Sequence, residues 1–200
     1  GPNGAGKTTT IKMLTTLLKP TGGAIEIDGL DPAKQSYEVR KRFGIVFQDP
    51  SLDQELTALE NMDLHGVLYH VPRKVRHERT EMLLKLFELW ERRNAYVKEF
   101  SGGMKRRLEI ARGFLHTPKI LFLDEPTTGL DPQSRRMLWD VVLAFKEQGG
   151  SILLTTHYMD EAERLCDRVG VIDHGRMIAS GSPRELIESL GGSQIVEVAL

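Results

Sequence analysis

Short, continuous apolar runs alternate along the chain with longer stretches in which apolar residues recur at helical spacing. The run at 120–123, Ile-Leu-Phe-Leu, is bounded by a proline on one side and by two acids on the other. Such a run is typical of a strand buried on both faces of a parallel sheet. The runs at 45–47 and 151–156 predict two further strands. The pattern therefore indicates an α/β fold in which a mostly parallel sheet is flanked by helices.

Helical spacing predicts several helices in the first half of the chain. One covers 9–18, with its apolar positions at Ile11, Met13, Leu14, Leu17 and Leu18, and a short one covers 33–42. Between them, alternation at 24–29 predicts a half-exposed strand and a turn. Thr57 and Glu60 have the spacing of a capping box, which predicts a helix that runs to about residue 70.

Two more helices are expected before the 120–123 strand. Pro72 suits the first turn of one of them, and its apolar side is predicted to be Val75, Met82, Leu83, Leu86, Phe87 and Trp90. Ser101 can cap the other, whose apolar stripe is predicted to be Met104, Leu108, Ala111 and Leu115. Two glycines follow Ser101 and weaken a first helical turn. They make sense if another backbone or a phosphate approaches closely.

The last third of the chain repeats the helix and strand alternation. A helix predicted from Met137, Leu138, Val141, Val142 and Phe145 ends at Gly149-Gly150. Beyond the 151–156 strand we expect a helix at 159–165 and a small antiparallel hairpin that turns at 173–175. Ser182 and Glu185 have the spacing that caps a final helix to residue 190.

This order of elements predicts one domain over 1–190. Its core lobe is expected to comprise 1–48 and 116–190, with a helical subdomain at 49–115 inserted between two strands. Residues 191–200 are interpreted as the start of a truncated C-terminal extension.

The composition and net charge argue against some functional classes. The net charge of −1 argues against a general binder of nucleic-acid backbones, which carries an excess of Lys and Arg, and no nucleic-acid partner is expected. The basic triplets at 40–42 and 105–107 are interpreted as solvated helix faces. The single cysteine, Cys166, cannot form an internal disulfide, which is consistent with a reducing compartment. No apolar run approaches the length of about 18 residues that predicts a membrane span.

The first eight residues carry the most specific chemical signal. Gly1, Gly6, Lys7 and Thr8 satisfy the pattern Gly-x-x-x-x-Gly-Lys-Thr, in which backbone N–H groups converge on phosphate oxygens. The lysine of this motif reaches the β- and γ-phosphates, and the threonine holds Mg²⁺. The motif normally follows a strand, and none precedes Gly1. We therefore expect the chain to be a fragment whose upstream part contains that strand.

Polar residues at the carboxyl ends of predicted strands are candidates for the same site, because ligands bind at that edge of open α/β sheets. Asp124 and Glu125 follow the 120–123 strand, Gln48 follows the 45–47 strand, and His157 follows the 151–156 strand. Each also has a plainer interpretation. The acids can be a solvated loop, Gln48 a turn residue, and a lone histidine at a strand end is more often structural than catalytic.

Taken together, these motifs resemble the ATP-binding subunits of ABC transporters over essentially the whole chain. Walker A is 1–9, the Q-loop glutamine is Gln48, and the signature is 100–104, Phe-Ser-Gly-Gly-Met. Walker B and the catalytic acid are at 120–125, the D-loop is 129–131, and the switch histidine is His157. The amino-acid sequences of the segments 123–132 and 156–162 are most similar to those of exporter ATPases of the daunorubicin-resistance type.

The sequence departs from the family pattern at two places. Phe100 and Met104 stand where the signature usually has Leu and Gln. We expect both changes to be tolerated, because the resemblance assigns the phosphate contact to backbone N–H groups and to the Ser101 hydroxyl. The aromatic residue that stacks on adenine in the family would lie before Gly1, which leaves base affinity open.

The resemblance implies a P-loop NTPase that binds ATP and Mg²⁺ and hydrolyses ATP to power an exporter. It assigns catalysis to Glu125, His157 and Gln48, and metal binding to Thr8, Gln48 and Asp124. The nucleotide contacts that it implies are Asn3, Gly4, Ala5, Gly6, Lys7, Thr8 and Thr9, with Ser101, Gly102, Gly103 and Asp131 acting across a dimer that sandwiches two ATP molecules. It also implies a separate membrane permease as partner and a peripheral location on the cytoplasmic face of the membrane.

Two alternatives come from other functional classes. Soluble members of the superfamily that act on ribosomes generally carry two ATPase units, whereas this sequence has one Gly-x-x-x-x-Gly-Lys-Thr motif. Chromosome and DNA-repair ATPases separate Walker A from the signature by long coiled coils, and no sustained heptads lie between Lys7 and Ser101. The cargo of an exporter is not encoded in these motifs.

Overall fold

A parallel three-stranded sheet forms the centre of the fold in a computed structural model, which describes residues 4–48 and 51–189. The strands are β1 (Phe43–Val46), β2 (Ile120–Asp124) and β3 (Ser151–Thr155), in the order β1-β2-β3. In the register, Val46 lies beside Leu123, and Asp124 lies beside Thr155. The predicted parallel sheet is confirmed, and the ends of its three strands meet at one edge.

The central strand β2 is buried on both faces, as its apolar run predicts. Leu121 and Leu123 point into the larger core cluster, which also contains residues of the helices between β1 and β3. Phe122 points into a smaller cluster with Ile11 and Phe43, and its ring meets that of Phe43 edge to face at 5.2 Å. Packing on both sides holds the strand in place and therefore sets the position of Asp124 at its end.

Helices α1 (Lys7–Leu14) and α2 (Ser36–Arg40) precede β1. The prediction of a helix to residue 18 was too long. Thr16 has a φ of 65°, and the N–H groups of Leu17 and Leu18 both donate to the carbonyl of Lys12, which closes the helix end. Leu17 and Leu18 are consequently 61% and 44% exposed instead of lying on the buried face.

The segment 24–29 is not a strand in the structure. A strand requires a neighbouring strand along its length. Among the described residues, this segment has only an isolated bridge between Ile27 and Leu30. The predicted turn is present, with Asp28 and Gly29 at φ values of 51° and 76°. The short helix expected at 33–42 is confirmed only in its centre, as α2.

Three longer helices lie between β1 and β2. They are α3 (Ala58–Leu68), α4 (Arg73–Leu86) and α5 (Gly102–Phe114), with short 3₁₀ turns at Trp90–Arg92 and Val97–Glu99. The capping box of Thr57 and Glu60 is confirmed at the start of α3. The predicted apolar side of α4 was partly wrong. Met82 and Leu86 are 58% and 48% exposed, and the buried stripe of α4 is Thr80, Leu83 and Leu84, continued by Phe87.

The carboxyl-terminal part of the described chain follows the prediction closely. Helices α6 (Pro132–Glu147) and α7 (Met159–Leu165) flank β3 in sequence. Strands β4 (Val169–Asp173) and β5 (Arg176–Gly181) form the antiparallel hairpin, and its turn residues His174 and Gly175 have φ values of 43° and 72°. Helix α8 (Pro183–Ser189) begins with the Ser182 and Glu185 cap.

Residues 191–200, for which a C-terminal extension was predicted, lie outside the described residues. In the described part of the chain, every helix is too short or too polar to cross a membrane.

Candidate functional site

The loop before α1 has the backbone geometry that a phosphate cradle needs. Gly4 and Gly6 have φ values of 80° and 107°, a region that L side chains rarely adopt, and Gly6 is the N-cap of α1. The loop therefore leads directly into a helix N-terminus, where backbone N–H groups and the helix dipole favour an anionic ligand. Gly175, in the turn of the β4–β5 hairpin, donates its N–H to the carbonyl of Ala5 at 2.9 Å and braces the loop. Gly1 and Asn3 lie outside the described residues.

A cavity of about 340 Å³ opens over this loop. Among the described residues, its lining combines the loop and the start of α1 with one residue from the end of β1 and one from the end of β2: Gly4, Ala5, Gly6, Lys7, Thr8, Thr9, Gln48 and Glu125. The structure thus brings together residues that the sequence predicts to bind phosphate, to bind metal and to act in catalysis.

Asp124 is fully buried at the end of β2 and is held by Thr155 on the neighbouring strand. The Thr155 hydroxyl donates to Oδ1 of Asp124 and accepts from the backbone N–H of Glu125 at 3.2 Å. The other carboxylate oxygen, Oδ2, is buried and has no hydrogen-bond partner among the described residues. A buried carboxylate oxygen in this condition fits a cation-binding role, because an unpaired buried charge is costly. Thr155 was not among the predicted site residues. The parallel pairing of β2 and β3, which places it beside Asp124, was the signal that could have indicated it.

Glu125 lies beside two side chains that were predicted to act with it. One carboxylate oxygen is 3.8 Å from Nζ of Lys7, and the other is 3.3 Å from Nδ1 of His157. The Thr128 hydroxyl donates to the same oxygen that His157 approaches, at 3.4 Å. Glu125 is only 7% exposed and has a φ of 48°, an unfavourable backbone conformation that concentrates at functional sites.

The signature residues do not line this cavity. Ser101, Gly102 and Gly103 begin α5, where the Ser101 hydroxyl accepts from the N–H of Met104 at 3.2 Å, and none of the three lines the cavity described above. Ser101 and Gly102 are exposed. The predicted cap is confirmed, and the exposed helix start leaves these residues accessible to another molecule.

Asp131 is likewise absent from the lining of this cavity and caps α6. Its carboxylate accepts from the N–H groups of Gln133 and Ser134 at 3.0 and 2.9 Å. The Ser134 hydroxyl also donates to it, and this bond lowers the pKa of the Asp131 carboxyl below its usual value. Within the described chain, the role seen for Asp131 is therefore that of a helix cap.

The interpretation of 105–107 as a solvated face was wrong for Arg106. Its side chain is 7% exposed, pairs with Glu109 at 3.4 Å, and donates to four backbone carbonyls. Burial lowers the pKa of Arg106 and raises that of Glu109. The spacing of Arg106 and Glu109, one helical turn apart and next to the buried Leu108 and Ile110, was the signal in the sequence that could have indicated this pair.

The described residues contain no group of three or more His, Cys, Asp or Glu side chains that could hold a metal ion by itself. A magnesium site does not require one, because Mg²⁺ is usually bound by one or two carboxylates together with water and substrate phosphates.

Comparison with known proteins agrees with this geometry. Residues 1–128 match the family model described as ABC transporter. The chain is 49% identical over 193 residues to a daunorubicin/doxorubicin resistance ATP-binding protein of Streptomyces peucetius, covering 96% of this chain and 58% of the relative. It is 45% identical over 195 residues to a daunorubicin resistance ATP-binding protein of Streptomyces coeruleorubidus, covering 98% and 62%. A Nod factor export ATP-binding protein of Burkholderia lata is 46% identical over 198 residues, covering 99% and 65%.

The chain thus spans roughly six-tenths of the length of these relatives. Among solved structures, an ATP-binding subunit of an ABC transporter superposes with a TM-score of 0.89 at 35% identity, covering 96% of this chain and 80% of that one. The dimeric structure of a post-hydrolysis ATP-binding cassette bound to ADP and Pi gives a TM-score of 0.82 at 29% identity, covering 92% and 83%. The family match, the high identities and the shared fold show that this chain belongs to the ABC transporter family, in its ATP-binding part.

Proposed function

We propose that this chain binds ATP with Mg²⁺ and hydrolyses it to drive a membrane exporter. The observation that carries the proposal is the position of Glu125. Its carboxylate lines the cavity over the glycine loop and lies between Lys7 and His157. A base at the edge of a phosphate-binding loop is the arrangement that phosphoryl transfer to water requires.

Phosphate binding falls to the loop and the start of α1. Backbone N–H groups from Asn3 to Thr9 would face the phosphates, and the positive end of the α1 dipole would favour their negative charge. Lys7, whose side chain is 11% exposed and lies 3.8 Å from Glu125, would counter charge on the β- and γ-phosphates.

Thr8, Gln48 and Asp124 are the residues that would hold Mg²⁺. Thr8 and Gln48 line the cavity. Asp124 directly precedes the cavity-lining Glu125 in sequence, and one of its carboxylate oxygens is buried without a partner among the described residues. Bound there, the ion would neutralise charge on the phosphate oxygens. Gln48 follows β1 and leads into the helices, so it would also sense the γ-phosphate and couple the site to those helices.

Glu125 would orient the attacking water and take its proton. His157 approaches the carboxylate oxygen opposite to the one near Lys7, so the two neighbours restrain both oxygens. The side chain of His157 is 40% exposed and can reach out toward the γ-phosphate. Thr128 adds a third contact to the carboxylate. These restraints favour a single orientation of the base, which is what a general base needs.

The exposed start of α5 supports pairing with a second ATP-binding chain. Ser101, Gly102 and Gly103 would complete the ATP site of the partner, with Asp131 near the seam, and the dimer would sandwich two nucleotides. One related structure is itself a dimer bound to ADP and Pi. Because ATP would contact both chains, it favours the closed dimer, and hydrolysis removes that preference.

Residues 1–190 would form one domain, with a core lobe at 1–48 and 116–190 and a helical subdomain at 49–115. That subdomain and Gln48 would contact a separate permease on the cytoplasmic face of the membrane. Relatives named for daunorubicin resistance and for Nod factor export support an export role. A neighbouring gene for about six membrane helices would favour export over action on ribosomes or DNA.

The proposal is tested with Glu125→Gln in the intact protein. The variant keeps the shape of the side chain but loses the base, so ATP binding should persist while turnover falls by about 100-fold or more. Equilibrium binding of ATP and release of phosphate are measured side by side. Glu163→Gln, at an exposed position of α7, is the matched control and should hydrolyse ATP like the wild type.

Normal hydrolysis by Glu125→Gln would remove Glu125 from this role. A wild-type protein that neither binds nor hydrolyses ATP in the presence of Mg²⁺ would refute the proposed function as a whole.

A further inference from the structure

The side chain of Arg106 connects three parts of the site from inside the protein. Its Nε donates to the carbonyl of Pro126 at 2.8 Å, and its Nη2 donates to the carbonyls of Asp124 and Glu125, each at 3.0 Å. Nη1 donates to the carbonyl of Phe47, the residue before Gln48. One guanidinium on the signature helix α5 therefore contacts the backbone of the cavity-lining Glu125 and of Phe47, the neighbour of the cavity-lining Gln48.

Two further side chains on the same face of α5 extend these contacts. Glu109 accepts from the backbone N–H of Ser51 at 2.5 Å, and Arg112 donates to the carbonyl of Ser51 at 3.0 Å. Together with Arg106 they occupy positions one helical turn apart. Two residues near Gln48 are thus held to α5: Arg106 contacts Phe47 before it, and Glu109 and Arg112 contact Ser51 after it.

Glu125 has a specific need for such support. Its φ of 48° costs free energy unless surrounding contacts hold the residue in place. The N–H of Glu125 is held by the carbonyl of Thr155 at 3.1 Å, and its carbonyl is held by Arg106. The N–H of Thr128 also donates to the Glu125 carbonyl, at 3.2 Å, and the Thr155 hydroxyl also accepts from the Glu125 N–H. The backbone of the base is therefore restrained on both sides, and Arg106 is the side chain that restrains its carbonyl.

We propose that Arg106 is a positioning residue for ATP hydrolysis, which holds the backbone of Glu125 and of Phe47, the neighbour of Gln48, in one fixed relation to the signature helix. A shift of α5 then moves the catalytic base and Gln48 together. This inference rests on the proposed function. It adds a route by which the signature helix reaches the catalytic base of its own chain.

The geometry requires a guanidinium at this position. Arginine presents its donors as a rigid planar fork, whereas the ammonium of lysine is a single compact charge on a flexible stem. Lysine at 106 could remain paired with Glu109, yet it cannot reach the carbonyls of Phe47 and Pro126 at the same time. The Arg106→Lys variant therefore separates the charge from the positioning contacts.

The experiment measures kcat and KM for ATP in Arg106→Lys, in the intact protein. Contacts to the phosphates remain in this variant, so KM should stay within about threefold, while kcat falls by up to about 100-fold because the base is misplaced. Arg107→Lys, the adjacent position on α5 whose partner is the exposed Glu88, is the matched control and should keep the wild-type kcat.

Thermal unfolding of each variant separates positioning from simple loss of stability. Arg106→Gln combined with Glu109→Gln removes both charges of the buried pair and provides a second variant if the lysine variant folds poorly. Leu84→Ala, in the core of the helical segment, is the comparison for a protein that is destabilised without any change to these contacts. Its kcat should follow its folded fraction alone.

The inference is overturned if wild-type protein hydrolyses ATP and Arg106→Lys retains its kcat within about twofold, or if the losses in both Arg106 variants match their folded fractions. Loss of hydrolysis in the wild type would instead count against the proposed function. A fall in kcat beyond the folded fraction, with KM preserved, supports the positioning role.

Discussion

Replacing Thr155 by valine tests how the buried carboxylate of Asp124 is held. Valine keeps the branched shape but removes the hydroxyl that donates to Oδ1 of Asp124. Since Oδ2 already has no partner among the described residues, the carboxylate would be left buried without the one side-chain donor seen here. The N–H of Glu125 loses only one of its two acceptors, because the carbonyl of Thr155 remains 3.1 Å away.

The expected cost follows from the charge on the acceptor. A hydrogen bond to a charged group contributes about 1.5–3 kcal/mol, and leaving a buried charge unsatisfied is at the upper end of that range. We expect Thr155→Val to lower the free energy of unfolding by about 3 kcal/mol. For a chain of this size that corresponds to a fall in Tm of roughly 6–12 °C.

The measurement is chemical and thermal unfolding of the valine variant beside Thr155→Ser. Serine keeps the hydroxyl and loses one methyl group, so it should cost only about 1 kcal/mol. Thr156→Val is a second control, because the Thr156 hydroxyl accepts from the N–H of Tyr158 at a partly exposed site and should matter less. The reasoning is refuted if the valine variant is as stable as the serine variant.

Two further predictions concern stability alone. Burial, reinforced by the nearby charges of Arg112 and His116, lowers the pKa of His65 from 6.5 to about 3. The unfolded chain therefore binds more protons between these values, so stability should fall as the pH drops from 6.5 toward 3, by up to about 1.4 kcal/mol per pH unit. Denaturation midpoints at pH 7, 6 and 5 should show a shallower fall in His65→Gln, and an equal slope would contradict this. Gly44→Ala should destabilise by about 2 kcal/mol or more, because a Cβ there would lie 2.5 Å from the carbonyl oxygen of Gly113. Gly22→Ala, with no heavy atom within 4 Å of the added Cβ, is the control in the same unfolding assay.

Elements defined by local chemistry were predictable from the sequence. The apolar run of β2 required burial on both faces whatever lay around it, and Thr57 with Glu60 formed the capping box that their spacing indicated. The turn at His174-Gly175 followed from residues that tolerate positive φ. Each of these depends on neighbours in sequence, so a pattern is sufficient to predict it.

Elements defined by competition between partners were not predictable in this way. Apolar residues at 17 and 18 continue the helical pattern of α1, yet the chain turns away at Thr16 and leaves them exposed. On α4, periodicity allowed two overlapping stripes, and packing against the other helices selected the one with Leu83 and Leu84 and left Met82 exposed. Propensity and periodicity permit such alternatives, and tertiary contacts select among them.

The candidate site was likewise predictable only in part. The glycine loop, the lysine and threonine after it, and the acids after β2 were identifiable in the sequence, because phosphate and metal chemistry require those residue types at those spacings. Only the tertiary structure decided that Glu125 lies between Lys7 and His157, that Thr155 holds Asp124, and that Arg106 is buried. These relations join residues far apart in sequence, and their free energy depends on burial and on the distance between groups, which exist only once the chain has folded.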